Sequence, residues 1–231
     1  MFKFFVLFLS FFSLCVNASV VLNTTRVIYY EKDKEVSVSL TKKGSKPVLI
    51  QSWIDDGDAK KSIEDISVPF VLTPPINRID SGKGQTLRII NIEPLDKGKE
   101  TMFWLNVLEI PAIDPSMKGK NYMQMAFRTR VKLFYRPSGL TGFSEEVLED
   151  LDFVFSRNEV KIYNPSPYHL NISDVKLYVE DKVYTSDGIM IAPRDDMEFI
   201  FEGVSNIPKK AKVVVDYIND FGAIKSFEKT F

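Results

Sequence analysis

Apolar and polar residues alternate along most of this chain. Val36, Val38 and Leu40 are separated by Ser37 and Ser39 and followed by Thr41, the two-residue period of a strand with one buried face. Positions 85–90 alternate around Leu87 and Ile89, and a longer alternating run covers 122–135. The stretch 48–54 is rich in β-forming residues and closes on Asp55-Asp56-Gly57-Asp58, read as a solvated turn. Over 101–110, Phe103-Trp104-Leu105 is apolar on both faces, which suits a strand covered on two sides. Beyond Pro137 the pattern predicts shorter strands over 160–163, 170–179, 197–201, 212–218 and 224–231. No amphipathic helix longer than about ten residues stands out. Many short strands with turn signals between them predict sandwiches or barrels.

The best internal boundary is Arg136-Pro137-Ser138-Gly139, where proline stops a ladder and glycine permits a bend. It divides the chain into 19–138 and 139–231, each close to the roughly 100 residues of one immunoglobulin-like sandwich. The expected fold is therefore all-β, two immunoglobulin-like β-sandwich domains in series. Residues 1–18 read as a signal peptide: Lys3, an apolar run from Phe4 to Val16, and the small-residue site Val16-Asn17-Ala18. The run is short for a bilayer span. Leu14 before Cys15 is too bulky for the usual lipidation site.

Composition narrows the chemistry. The 231 residues contain 30 basic and 31 acidic side chains. Without Lys3 the mature balance is 29 to 31, a net charge of −2, which offers no case for nucleic acid as a partner. Cys15, the sole cysteine, lies in the leader, so an exported mature chain has no disulfide and relies on its cores. A single histidine, His169, and no mature cysteine exclude a Cys/His metal site and a Cys–His dyad. His169 reads as a solvated residue at a strand start. A Ser–His–Asp arrangement is possible only through His169, and no catalytic residue, metal ligand or cofactor is expected.

Several motif-like segments carry little weight. Gly82-Lys83-Gly84-Gln85-Thr86 lacks the spacing of a phosphate loop and leads into a strand, so it reads as a hairpin turn. Asn23-Thr24-Thr25 and Asn171-Ile172-Ser173 are glycosylation sequons in form only. Glu145, Glu146, Glu149 and Asp150 read as a solvated acidic segment.

Other segments, in order along the mature chain, resemble the periplasmic chaperones of the chaperone–usher pathway. Thr25-Arg26-Val27-Ile28-Tyr29 is similar to that family's first strand, and Phe70-Val71-Leu72-Thr73-Pro74-Pro75 to its T-P-P segment. Phe103-Trp104-Leu105-Asn106 with Glu109-Ile110-Pro111 resembles F-[WY]-x-N…E-I-P. Lys132-Leu133-Phe134-Tyr135-Arg136-Pro137 resembles the family signature at the end of the first domain. Asn164-Pro165-Ser166-Pro167-Tyr168 and Asn219-Asp220-Phe221-Gly222 are similar to later family motifs.

The resemblance implies two sandwiches set at an angle and an activity without catalysis. The chaperone lends a strand to pilus (fimbrial) subunits that lack one, an adhesin among them, until an outer-membrane usher exchanges it. It implies a periplasmic location and no cofactor, and leaves self-association of the free chaperone open. Met123, Met125 and Phe127 correspond to the donor side chains; on the residues alone they read as ordinary sheet core. Arg26 and Lys132 correspond to the pair that anchors a subunit's terminal carboxylate; on the residues alone they are exposed strand charges. Glu100, Arg136 and Asp220 correspond to an interdomain salt-bridge group. The absence of a cysteine pair around 111–122 points to the short-loop branch, associated with rod-like pili. The alternatives are an adhesive or structural surface-fibre protein with the same sandwiches, and a periplasmic enzyme.

Overall fold

A computed structural model describes residues 20–113, 116, 119–144, 146–208 and 210–231; the signal peptide expected over 1–18 lies outside them. In the N-terminal half, β1 (Val20–Leu22), β3 (Val36–Lys42), β7 (Gly84–Asn91) and β5 (Phe70–Thr73) form one sheet in that order. The facing sheet runs β2 (Arg26–Tyr30), β9 (Phe127–Arg136), β8 (Thr101–Pro111), β4 (Val48–Asp55), β6 (Ile76–Ile79). The alternation read from the sequence sets the faces: Val38, Leu40, Leu87 and Ile89 of the first sheet pack against Val27, Ile50, Leu105 and Leu133 of the second.

The C-terminal half repeats the plan. One sheet runs β10 (Asp152–Ser156), β11 (Glu159–Asn164), β15 (Asp195–Ile200). The other runs β13 (Lys182–Asp187), β12 (Leu170–Val179), β16 (Lys212–Ile218), β17 (Ile224–Thr230), with β14 (Met190–Ile191) on β12. Val160, Ile162, Val175, Leu177, Phe199 and Val215 fill a second core, separate from the first. Burying each such side chain stabilises by about 1.5–3 kcal/mol. Two self-contained cores explain how the fold stands without a disulfide.

Three local expectations are corrected. Gly82 sits in the turn between β6 and β7, which belong to different sheets, so the turn is a corner and not a hairpin. Asp55 is not solvated: it is 1% exposed at the end of β4. Its carboxylate accepts bonds from Gly57 N at 2.8 Å, Asn106 Nδ2 at 2.7 Å and the Arg130 guanidinium. Within Phe103-Trp104-Leu105 only the flanking residues enter the core; Trp104 lies on the other face under Arg130, 4.3 Å from the guanidinium carbon to the ring centroid.

Candidate functional site

β9 serves two purposes with its two faces. Val131, Leu133 and Tyr135 point into the N-terminal core. The intervening Lys132, Phe134 and Arg136 lie on the opposite face by strand periodicity, and each touches the C-terminal half. Phe134 is 2% exposed yet belongs to neither core; it packs on the His169 ring at 5.4 Å between centroids.

Arg26 and Lys132 are brought together. β2 runs parallel to β9 with Arg26 opposite Lys132. Because Val27 and Tyr29 take the core side of β2, Arg26 takes the other. Arg26 Nη1 donates to the Ile218 carbonyl at 2.9 Å, and Lys132 Nζ donates to Asn171 Oδ1. Arg26 Nε is buried and has no acceptor among the described residues. Among those residues neither cation pairs with a carboxylate within 4.0 Å. Burial holds the Arg26 pKa below its ordinary value, opposed only in part by the charges of Asp220 and Glu100. Burial and the neighbouring Arg26 charge likewise lower that of Lys132. Two adjacent half-desolvated cations with an idle donor are costly alone, and an anion relieves that cost with charge-assisted hydrogen bonds.

Arg136 closes the far end of the same face. Its Nε and Nη2 donate to Glu100 Oε2 at 2.9 and 2.6 Å, and its Nη1 and Nη2 donate to Asp220 at 2.7 and 3.2 Å. Tyr30 and Tyr168 rings lie 5.6 and 5.1 Å from the guanidinium carbon. Glu100 Oε1 takes His169 N at 3.0 Å and its ring Nδ1 lies at 2.9 Å. His169, expected in solvent, therefore has a side chain only 8% exposed. The neighbours that bury it, Glu100 and Phe134, come from the other half of the molecule.

Removing the guanidinium leaves Glu100, 2% exposed, without its cation. Arg136→Ala is therefore expected to cost about 3–5 kcal/mol and to speed proteolysis across 136–145; an unchanged melting temperature and cleavage rate would reject the network. The same group sets an acid limit. Burial pushes the Asp220 carboxyl up, but the hydrogen bond and charge of Arg136, with the Ser144 hydroxyl, outweigh it and hold the pKa below its ordinary value. A depressed folded pKa contributes stability that is full above the unfolded value near about 4 and fades as pH falls through the folded one. Melting temperature should thus drop below about pH 4, and Asp220→Asn should flatten part of that drop. An identical acid profile in the variant would assign the loss elsewhere.

The expected donor residues lie where β9 leaves the body. Phe127 is 58%, Met125 58% and Met123 86% exposed, so none is the sheet core that the residues alone suggest. β2 pairs only with 132–136, so among the described residues one edge of 127–131 is unpaired. The strand begins at Phe127, five residues later than the alternation over 122–135 predicts. Phe127 pairs with Glu109, so continuing the ladder would bring Met125 opposite Pro111. Proline has no N–H to give, and the Gln124 side chain takes the Pro111 carbonyl at 2.7 Å instead.

Such an arrangement is that of two sandwiches with an exposed apolar row at 123–127 and, further along, two adjacent cations held by neutral acceptors. The profile for pili and flagellar-assembly chaperones, PapD N-terminal domain, matches residues 19–141, and that for the pili assembly chaperone PapD, C-terminal domain, matches 146–229. The probable fimbrial chaperone YadV of Escherichia coli K12 is 41% identical over 89% of this chain and 87% of its own. Its crystal structure superposes with a TM-score of 0.80, covering 93% of this chain and 100% of that one. The chaperone FimB/FhaD of Bordetella pertussis is 38% identical over 91% of this chain and 87% of its own. The SafB chaperone of Salmonella enterica, solved in complex with the SafA pilin, is 25% identical with a TM-score of 0.74, over 93% of this chain and 97% of that one. This chain belongs to the PapD family of pili assembly chaperones.

Proposed function

We propose that the protein acts in the periplasm, after loss of residues 1–18, as a donor-strand chaperone built of domains 19–138 and 139–231. It lends Met123, Met125 and Phe127 to the open groove of a fimbrial subunit, an adhesin among its clients. It holds the subunit's terminal carboxylate between Arg26 and Lys132, and passes the subunit to an outer-membrane usher. The Glu100–Arg136–Asp220 group fixes the two domains around that cleft. No step in this cycle breaks or makes a covalent bond.

One observation carries the reading: the stretch 123–136 joins an exposed apolar row to Lys132, which with Arg26 of β2 forms a half-desolvated cation pair that bonds no carboxylate among the described residues. Strand addition to an open edge draws affinity from the ladder and selectivity from alternate side chains. Two of the three donors are methionines, whose flexible thioethers fit irregular grooves, consistent with service to more than one subunit. The likeness to a chaperone solved with its pilin supports the same role here. Co-expression with fimbrial subunits should yield a one-to-one complex from periplasm. Subunits recovered at equal levels with and without the protein would overturn the proposal.

A further inference from the structure

Both anchor cations are held from the opposite half of the molecule. Arg26 bonds the end of β16 through the Ile218 carbonyl, and Lys132 bonds the Asn171 side chain on β12. Asn171 is 6% exposed. Its backbone is fixed by pairing with Met190 of β14, one residue before β12 breaks register against β16 between Ile172 and Asp174. An amide offers an acceptor oxygen and two N–H donors. Oδ1 is taken by Lys132, and Nδ2 donates to no described residue. A carboxylate in the same place would neutralise Lys132 and repel an incoming anion. A neutral acceptor orients the ammonium and leaves its charge unspent.

We propose that Asn171 is a positioning residue of the carboxylate anchor: its side-chain oxygen holds the Lys132 ammonium beside Arg26, and its neutrality keeps both cations available to a bound chain's terminus. The anchor is then complete only when the two halves are docked, because each supplies part of it. This rests on Arg26 and Lys132 binding a terminal carboxylate, and the test separates the two ideas.

A peptide copying the C-terminal segment of a fimbrial subunit that the chaperone captures is prepared as the free acid and as the C-terminal amide. The ratio of its two dissociation constants reads the anchor and little else, since strand pairing is common to both forms. The wild-type protein should prefer the acid. Asn171→Asp should bring the ratio to about one while melting no lower than wild type, because the new carboxylate pairs with Lys132. Asn171→Leu, which removes the bond without adding charge, should lower the ratio by roughly tenfold, the worth of one charge-assisted hydrogen bond. Both variants should bind the amide as the wild type does. A wild-type ratio in both variants overturns the proposal, as does a parallel loss of acid and amide binding, which marks a merely structural residue. A wild-type protein indifferent to amidation overturns the carboxylate anchor itself.

Discussion

Met125→Glu should leave the free protein folded and abolish its hold on subunits. Met125 is 58% exposed and precedes the first residue of β9, so a charge there meets water, and such surface changes stay within about 0.5 kcal/mol. In the proposed complex the same position would enter a subunit groove. Full burial of each donor side chain is worth about 1.5–3 kcal/mol, so the three together supply several. A buried, unpaired carboxylate at the central position reverses that gain. Thermal melting of the isolated variant, read beside periplasmic recovery of co-expressed subunits, decides the matter. A strongly destabilised free variant would show that Met125 is core; a stable variant that still protects subunits would reject strand donation at this row.

Second in size is the loss expected from Arg26→Ala with Lys132→Ala. In the free protein the two charges face each other half-desolvated with no carboxylate within bonding distance among the described residues. Deleting them removes a repulsion together with one bond each to Ile218 and Asn171. Circular dichroism and melting should therefore stay near wild type. The proposed complex would lose two charge-assisted contacts of about 1.5–3 kcal/mol each, enough to weaken subunit binding by roughly a hundredfold or more. Subunit capture at the wild-type level by a folded double variant would remove the anchor from the mechanism.

Much of this was legible where one strand's own alternation decides its faces. Strands 170–179 and 212–218 occur as their apolar periods predict, because each buries one side against the sheet opposite. What the chain hides is set by partners far away in sequence. The start of β9 depends on Pro111, a residue of β8. Asp55 looks like a turn residue until Arg130 and Asn106 arrive from β9 and β8. His169 looks like a strand-start residue in water until Glu100 and Phe134 cover it. Asn171 appeared only as half of a sequon, since nothing in Leu170-Asn171-Ile172-Ser173 announces a lysine from the other domain. The cation pair itself was visible by resemblance, but that neither cation bonds a carboxylate among the described residues is a property of three dimensions.

The burial of His169 gives the molecule a natural spectator. A protein with one imidazole displays one imidazole Hε1 resonance, with no second histidine to confuse its assignment. That ring lies against Phe134 of β9 and bonds Glu100, the residue that also grips Arg136. Ring-current shift from Phe134 and the rate of deuterium entry at the imidazole thus watch the contact between the two sandwiches directly. The same two signals can be followed through subunit capture and release, so the hinge of this chaperone can be timed in solution without altering a residue.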